Sequence, residues 1–173
     1  LVGLFLSQRS DIMVTPITDC LSDSKVAVYC EFSKPEDIVV LPDNRHLLIS
    51  EFGAITPLSS ENLPGQISLF DTDLLEKKQI KIALGDKGWG QESCKRDDLM
   101  FSPHGIDLNQ RSDGRYQLAV VNHMPRETIE MFELINLHNA WSLIWRGCID
   151  APKLGYFNDV ALKSDGSFFT THM

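Results

Sequence analysis

Residues 101–123, FSPHGIDLNQRSDGRYQLAVVNH, read as two β-strands joined by a polar turn. The first strand opens on His104, set between Pro103 and Gly105, and the second closes on Asn122-His123. Folding a hairpin brings the two ends of such a segment together. His104 and His123 are therefore expected side by side at one rim of a sheet. Two imidazoles in that position form a candidate proton relay, because their charge changes near neutral pH.

Two further segments repeat this grammar of a polar pair, a short apolar strand, a turn and a returning strand. In residues 34–50, KPEDIVVLPDNRHLLIS, Glu36-Asp37 precedes a strand over 38–41, a turn over 42–44 and a return over 46–50. In residues 154–171, LGYFNDVALKSDGSFFTT, Asn158-Asp159 precedes a strand over 160–162, a turn over 164–166 and a return over 167–171. An aliphatic residue follows each pair: Ile38, Ile106 and Val160. Further strands are expected over 25–31, 65–71, 79–84, 128–134 and 140–146, from their β-branched and alternating character. Thr128, Glu130 and Phe132 would share one face. The result is roughly four strands per period of about fifty to seventy residues, the build of a propeller blade.

The pattern predicts an all-β chain supplying about three blades of a β-propeller. The polar pairs would open the innermost strands and converge on the central channel. An open β-sandwich, in which polar residues merely start strands, is the alternative. Three blades do not close a ring, which needs about four or more. The chain thus reads as part of a longer protein and would expose two raw sheet edges.

The 173 residues suffice for one core, and 43% hydrophobic content is that of a soluble globular protein. The formal net charge of -8 argues against nucleic acid as a partner, since no basic cluster offers a phosphate footprint. Converging carboxylates would suit divalent cations instead. No apolar run is long enough to span a bilayer. LVGLFL at the start reads as the tail of a signal peptide or anchor, which sets residues 1–24 apart from a propeller portion over 25–173. Membrane association is expected only through such an anchor, and the compartment leans extracytoplasmic. Cys20, Cys30, Cys94 and Cys148 make no CxxC pair, so a zinc site is disfavoured; disulfides, free thiols and a cysteine partner elsewhere all stay open. The polar loop over 85–98 is long for a compact domain. Its Trp89 either lines the tunnel mouth or anchors the loop by packing. Trp141 and Trp145 have the spacing of core packing. There is no GxSxG elbow, P-loop or Rossmann fingerprint.

FSPHGIDL, LAVVNH, TIEMFEL and FNDVAL together resemble the paraoxonase/arylesterase family, which lies within the SMP-30/gluconolactonase-like six-bladed β-propellers. The resemblance runs from about Pro35 to the end. It implies two Ca²⁺ ions in the tunnel, one catalytic and one structural. Glu36 and Asn158 match ligands of the catalytic ion. Asp37 and Asp159 match ligands of the structural ion, to which Ile106 would add its carbonyl. His104 and His123 match the family's catalytic His pair, which acts on the attacking water. The implied activity is hydrolysis of small-molecule esters or lactones by water attack on a calcium-bound carbonyl. A sugar lactonase of the gluconolactonase type, with an idle His pair, is the alternative within enzymes. A non-catalytic, calcium-stabilised propeller that binds a partner is the alternative outside them. Calcium takes six to eight oxygens, and the family's remaining ligands come from later blades. Two departures stand out: Glu36 lies closer to Cys30 than in the family, and one residue fewer separates VNH from the next strand. The residues alone also allow a plainer reading, in which Asp and Asn at strand starts only satisfy backbone N–H groups.

Overall fold

The computed structural model describes residues 20–53 and 63–173, and the LVGLFL segment lies outside them. Eleven strands are formed among the described residues, with no helix. They are β1 (Pro35–Val40), β2 (His46–Glu51), β3 (Gln66–Asp71), β4 (Glu76–Gln79), β5 (Lys81–Leu84), β6 (Pro103–Gln110), β7 (Tyr116–Asn122), β8 (Thr128–Leu137), β9 (Ala140–Asp150), β10 (Phe157–Leu162) and β11 (Phe168–His172).

Three sheets result. The first is a four-stranded antiparallel meander in the order β1-β2-β3-β4. The second continues β6-β7-β8-β9 in the same way and adds β5, which lies parallel to β9 on its outer edge. The third is the hairpin β10-β11. Two meanders and an opening hairpin are the layout of successive propeller blades. The first strands, β1, β6 and β10, pack against one another across the sheets, β6 in the middle.

Side-chain alternation explains the stacking. On β7, Leu118 and Val120 face a core shared with the first sheet, beside Leu48, Ile67, Phe101 and Phe132. Ala119 and Val121 face a second core with Ile129, Phe157, Val160 and Leu162. All four β7 residues are fully buried, so the second sheet is covered on both faces. On β8, Thr128, Glu130 and Phe132 do share one side, and Ile129 and Met131 take the other.

Two expectations need correcting. The apolar run over 25–31 is not a strand. It lies in a loop closed by the Cys20–Cys30 disulfide, where Asp23 Oδ1 accepts the N–H groups of Lys25 and Val26 and Ser22 Oγ accepts that of Val28. Side chains thus take the backbone donors that a ladder would have used. The single strand expected over 79–84 is two, because buried Ile80 turns the chain from the edge of the first sheet to the edge of the second. Cys94 pairs with Cys148, tying the long loop after β5 to β9. Trp89 anchors that loop. It is buried, with the guanidinium groups of Arg111 and Arg115 over its ring. Gly147 makes the close approach possible, since a Cβ there would lie 1.8 Å from the Trp89 carbonyl oxygen.

Candidate active site

The three polar pairs occupy the second and third positions of β1, β6 and β10. At each pair the strand register slips: between Pro35 and Asp37, between Pro103 and Ile106, and between Phe157 and Val160. A bulge at a strand start frees the local backbone from the ladder and re-aims its side chains. Three such bulges in adjacent strands turn Glu36, Asp37, His104, Asn158 and Asp159 toward one pocket of about 180 Å³, which Gly105 also lines.

Glycine at 105 is a steric requirement. A Cβ there would lie 2.5 Å from Asp159 Oδ1 and 2.7 Å from the Asn158 carbonyl oxygen. Its absence lets β10 close on β6. The strands are then stitched together: Ile106 N–H donates to Asp37 Oδ2 at 2.8 Å, and His104 Nδ1–H donates to the Asn158 carbonyl oxygen at 2.8 Å. A carbonyl only accepts, so this bond places the proton of a neutral His104 on Nδ1 and leaves Nε2 a lone pair. That Nε2 stands 3.4 Å from Glu36 Oε2.

His123 lies where the hairpin reading puts it. The two imidazole rings are edge to face with centroids 5.3 Å apart. Asn122, fully buried, fixes the turn that carries His123: its Oδ1 accepts Ser102 N–H at 2.9 Å and its amide donates to Thr128 Oγ1 at 2.9 Å. Phe52 stands edge-on to both histidines, at 5.7 and 5.6 Å, and half-exposed Tyr156 stacks on His123 at 4.6 Å. His123 Nδ1–H donates to Glu127 Oε2 at 2.8 Å. Its Nε2 is buried and has no partner among the described residues.

The site's oxygens are carboxylates and one amide, the donor chemistry of a hard cation. Asp37 and Asp159 each also accept the N–H of the following residue, Ile38 and Val160, at 2.7 Å. Backbone capping and pocket lining are thus combined in the same side chains. Among the described residues no three His, Cys, Asp or Glu side chains converge at metal-ligand spacing, so Asn158 or further oxygens must complete any cation site. Ile106 is buried in the core and does not line the pocket.

Larger hollows lie elsewhere. One of about 540 Å³ beside Trp89 and Asp165 has its charges tied locally, Arg111 to Gln117 and Asp165 to Ser167.

The arylesterase family profile matches residues 21–173, which include every element of this site. The chain belongs to the arylesterase family. Membership makes it a hydrolase of ester type, acting on small molecules. A search of curated proteins finds no match. An arylesterase-family reading gives the pair of half-buried His104 and buried His123, beside a carboxylate-rich pocket, a chemical context. Glu127, Phe52, Asn122 and Tyr156 escaped sequence reasoning as members of the site. The one signal present was a carboxylate four residues after His123 in a turn too short to carry it away.

Proposed function

We propose that the chain hydrolyses esters or lactones in a calcium-dependent manner, with His104 as the general base for the attacking water. The observation that carries this reading is the His104–His123 ring pair, 5.3 Å apart, beside the pocket lined by Glu36, Asp37, Asn158 and Asp159. The bond to the Asn158 carbonyl orients His104 so that Nε2, 3.4 Å from Glu36 Oε2, is the nitrogen that would accept a proton from water. His123 would take up the proton relayed from that site. Phe52 and Tyr156 offer an aromatic wall for the apolar part of a substrate. Glu36 and Asn158 would hold the catalytic Ca²⁺, and Asp37 and Asp159 the structural one. A bound Ca²⁺ supplies Lewis-acid polarisation of the ester carbonyl and stabilises the oxyanion that forms there.

The test is thermal unfolding with excess calcium and again with EGTA, run beside hydrolysis assays on phenyl acetate and a simple lactone. A higher midpoint with calcium, and turnover abolished by EGTA, are expected. A flat midpoint would sink the reading that Glu36, Asp37, Asn158 and Asp159 hold calcium by themselves, and turnover that survives EGTA would sink the catalytic part. His104→Gln separates the sugar-lactonase alternative, which predicts little change in turnover.

A further inference from the structure

Glu127 is the unexplained group closest to the histidine pair. Its side chain is 15% exposed, at the turn between β7 and β8. Both carboxylate oxygens are engaged. Oε2 accepts His123 Nδ1–H at 2.8 Å, and Oε1 accepts the backbone N–H of Phe157 at 2.6 Å. Phe157 opens β10 and directly precedes Asn158-Asp159. The Glu127 carbonyl also accepts Ala151 N–H at 3.0 Å, which fixes the backbone beneath the carboxylate.

We propose that Glu127 is a positioning residue that holds His123 in its Nδ1–H tautomer, keeps the Nε2 lone pair available as a proton acceptor, and clamps that histidine to the start of β10. The inference rests on the esterase reading for its catalytic meaning. Its structural half stands on the two hydrogen bonds alone.

The argument turns on what each atom can do. An ionised carboxylate only accepts, so the atom facing it must carry the proton, which places it on Nδ1. The other nitrogen, Nε2, then carries a lone pair. It is buried without a partner among the described residues, an arrangement that a purely structural imidazole would avoid. An ionised partner also strengthens the bond and limits rotation of the ring. The clamp on Phe157 couples the ring's position to the strand that presents Asn158 to His104. One carboxylate thereby sets the separation of the two histidines.

Glu127→Gln is a sharp probe because it is isosteric and the Phe157 N–H demands an oxygen. The Gln oxygen would take that place, and its NH₂ would face His123 Nδ1. Nδ1 must then become the acceptor and Nε2 must carry the proton. The tautomer inverts with the fold intact.

The experiment is ¹⁵N NMR of the full chain labelled in histidine, with the His123 signals assigned by their loss in His123→Asn. It is paired with phenyl acetate kinetics and an unfolding midpoint. In the wild type, Nδ1 should be pyrrole-like and Nε2 pyridine-like; in Glu127→Gln the two should exchange. kcat should fall tenfold or more, with KM within about twofold and the midpoint unchanged, as loss of the proton acceptor in the relay implies. A pyridine-like Nδ1 in the wild type would overturn the proposal without any variant. Unexchanged signals in Glu127→Gln, or exchange with kcat unaltered, would overturn it too. A wild type that cleaves no ester would strike the esterase reading itself, and the NMR result would then decide the tautomer assignment alone.

Discussion

Where β1 turns into β2, Asp43, Arg45, His46 and Asp71 form one closed network. Asp71 takes a two-pronged bond from Arg45 at 2.9 and 2.6 Å, and Asp43 accepts from His46 Nδ1 at 2.7 Å. Trp141 Nε1 of β9 donates to Asp43 Oδ2 at 2.7 Å and so joins the second sheet to the first. At the other end of β1, Glu36 and Asp37 line the pocket with His104, Asn158 and Asp159, beside His123. There His123 Nε2 is buried without a partner among the described residues, and His104 Nε2 stands 3.4 Å from Glu36 Oε2. Both ends use histidine, carboxylate and an aromatic side chain. One end satisfies its polar groups internally and serves stability. The other leaves acceptors open, and an open buried acceptor is useful only when something arrives to fill it.

The contrast can be broken or sharpened by experiment. The largest effect should come from a third polar cluster, saturated and deep. Arg96 Nη1 pairs with Glu130 Oε1 at 2.7 Å with both side chains almost fully buried, and Trp145 Nε1 donates to Glu130 Oε2 at 2.7 Å. Glu130→Gln leaves the buried guanidinium with the Asp98 and Met100 carbonyl oxygens but without its near carboxylate, and should lower stability by about 3 kcal/mol in urea titration. A loss below about 1 kcal/mol would show that water reaches Arg96.

Removing the Cys94–Cys148 bridge, which spans 54 residues, by the paired change Cys94→Ser and Cys148→Ser should cost about 2–4 kcal/mol, read as a drop in unfolding midpoint. Unaltered stability would mean that the loop after β5 holds without it.

At the open end the signature reverses. His104→Gln should reduce phenyl acetate turnover by about 10²-fold or more while leaving the midpoint within a few degrees. A variant that loses stability and activity together would place His104 on the saturated side of the comparison.

The smallest effect concerns acid. Burial would raise the Asp43 carboxyl, but the bonds from His46, Arg45 and Trp141 outweigh it and hold it well below its ordinary value of 3.8. The Arg45 fork does the same for Asp71. Depressed carboxyls contribute stability that is fully present above that ordinary value and is lost as pH falls through their folded-state values. The midpoint should therefore decline as pH drops below about 4. Asp43→Asn should be less stable by about 1 kcal/mol at neutral pH and decline less steeply in acid. Parallel curves for the two proteins would exclude Asp43 as a source of the acid response.

The hairpins were legible because alternation and turn residues are local signals, and Pro42-Asp43-Asn44 and Ser164-Asp165-Gly166 mark their turns without ambiguity. The meeting of His104 with His123 follows from hairpin geometry alone. The three bulges were not legible, since a register slip depends on what the neighbouring strand offers. Glu127 was hidden because its second partner, the Phe157 N–H, is thirty residues away. The run over 25–31 misled because strand propensity describes a fit to a pleated surface, and Asp23 and Ser22 supply local acceptors instead. Arg96 and Glu130 are also far apart in the chain, and the pairing of a loop cation with a strand carboxylate has no periodicity to read.

β7 is the strand whose four central side chains are all fully buried, two on each face. Its amides should therefore be the last in the molecule to exchange with deuterium, opening only when the whole domain unfolds. Its final residue is Asn122, and the next is His123. The imidazole is mounted at the end of that strand, whereas half-exposed Tyr156, stacked on its face, lies outside every strand. Local motion would then belong to the Tyr156 side of the ring, and the imidazole behind it would stay still.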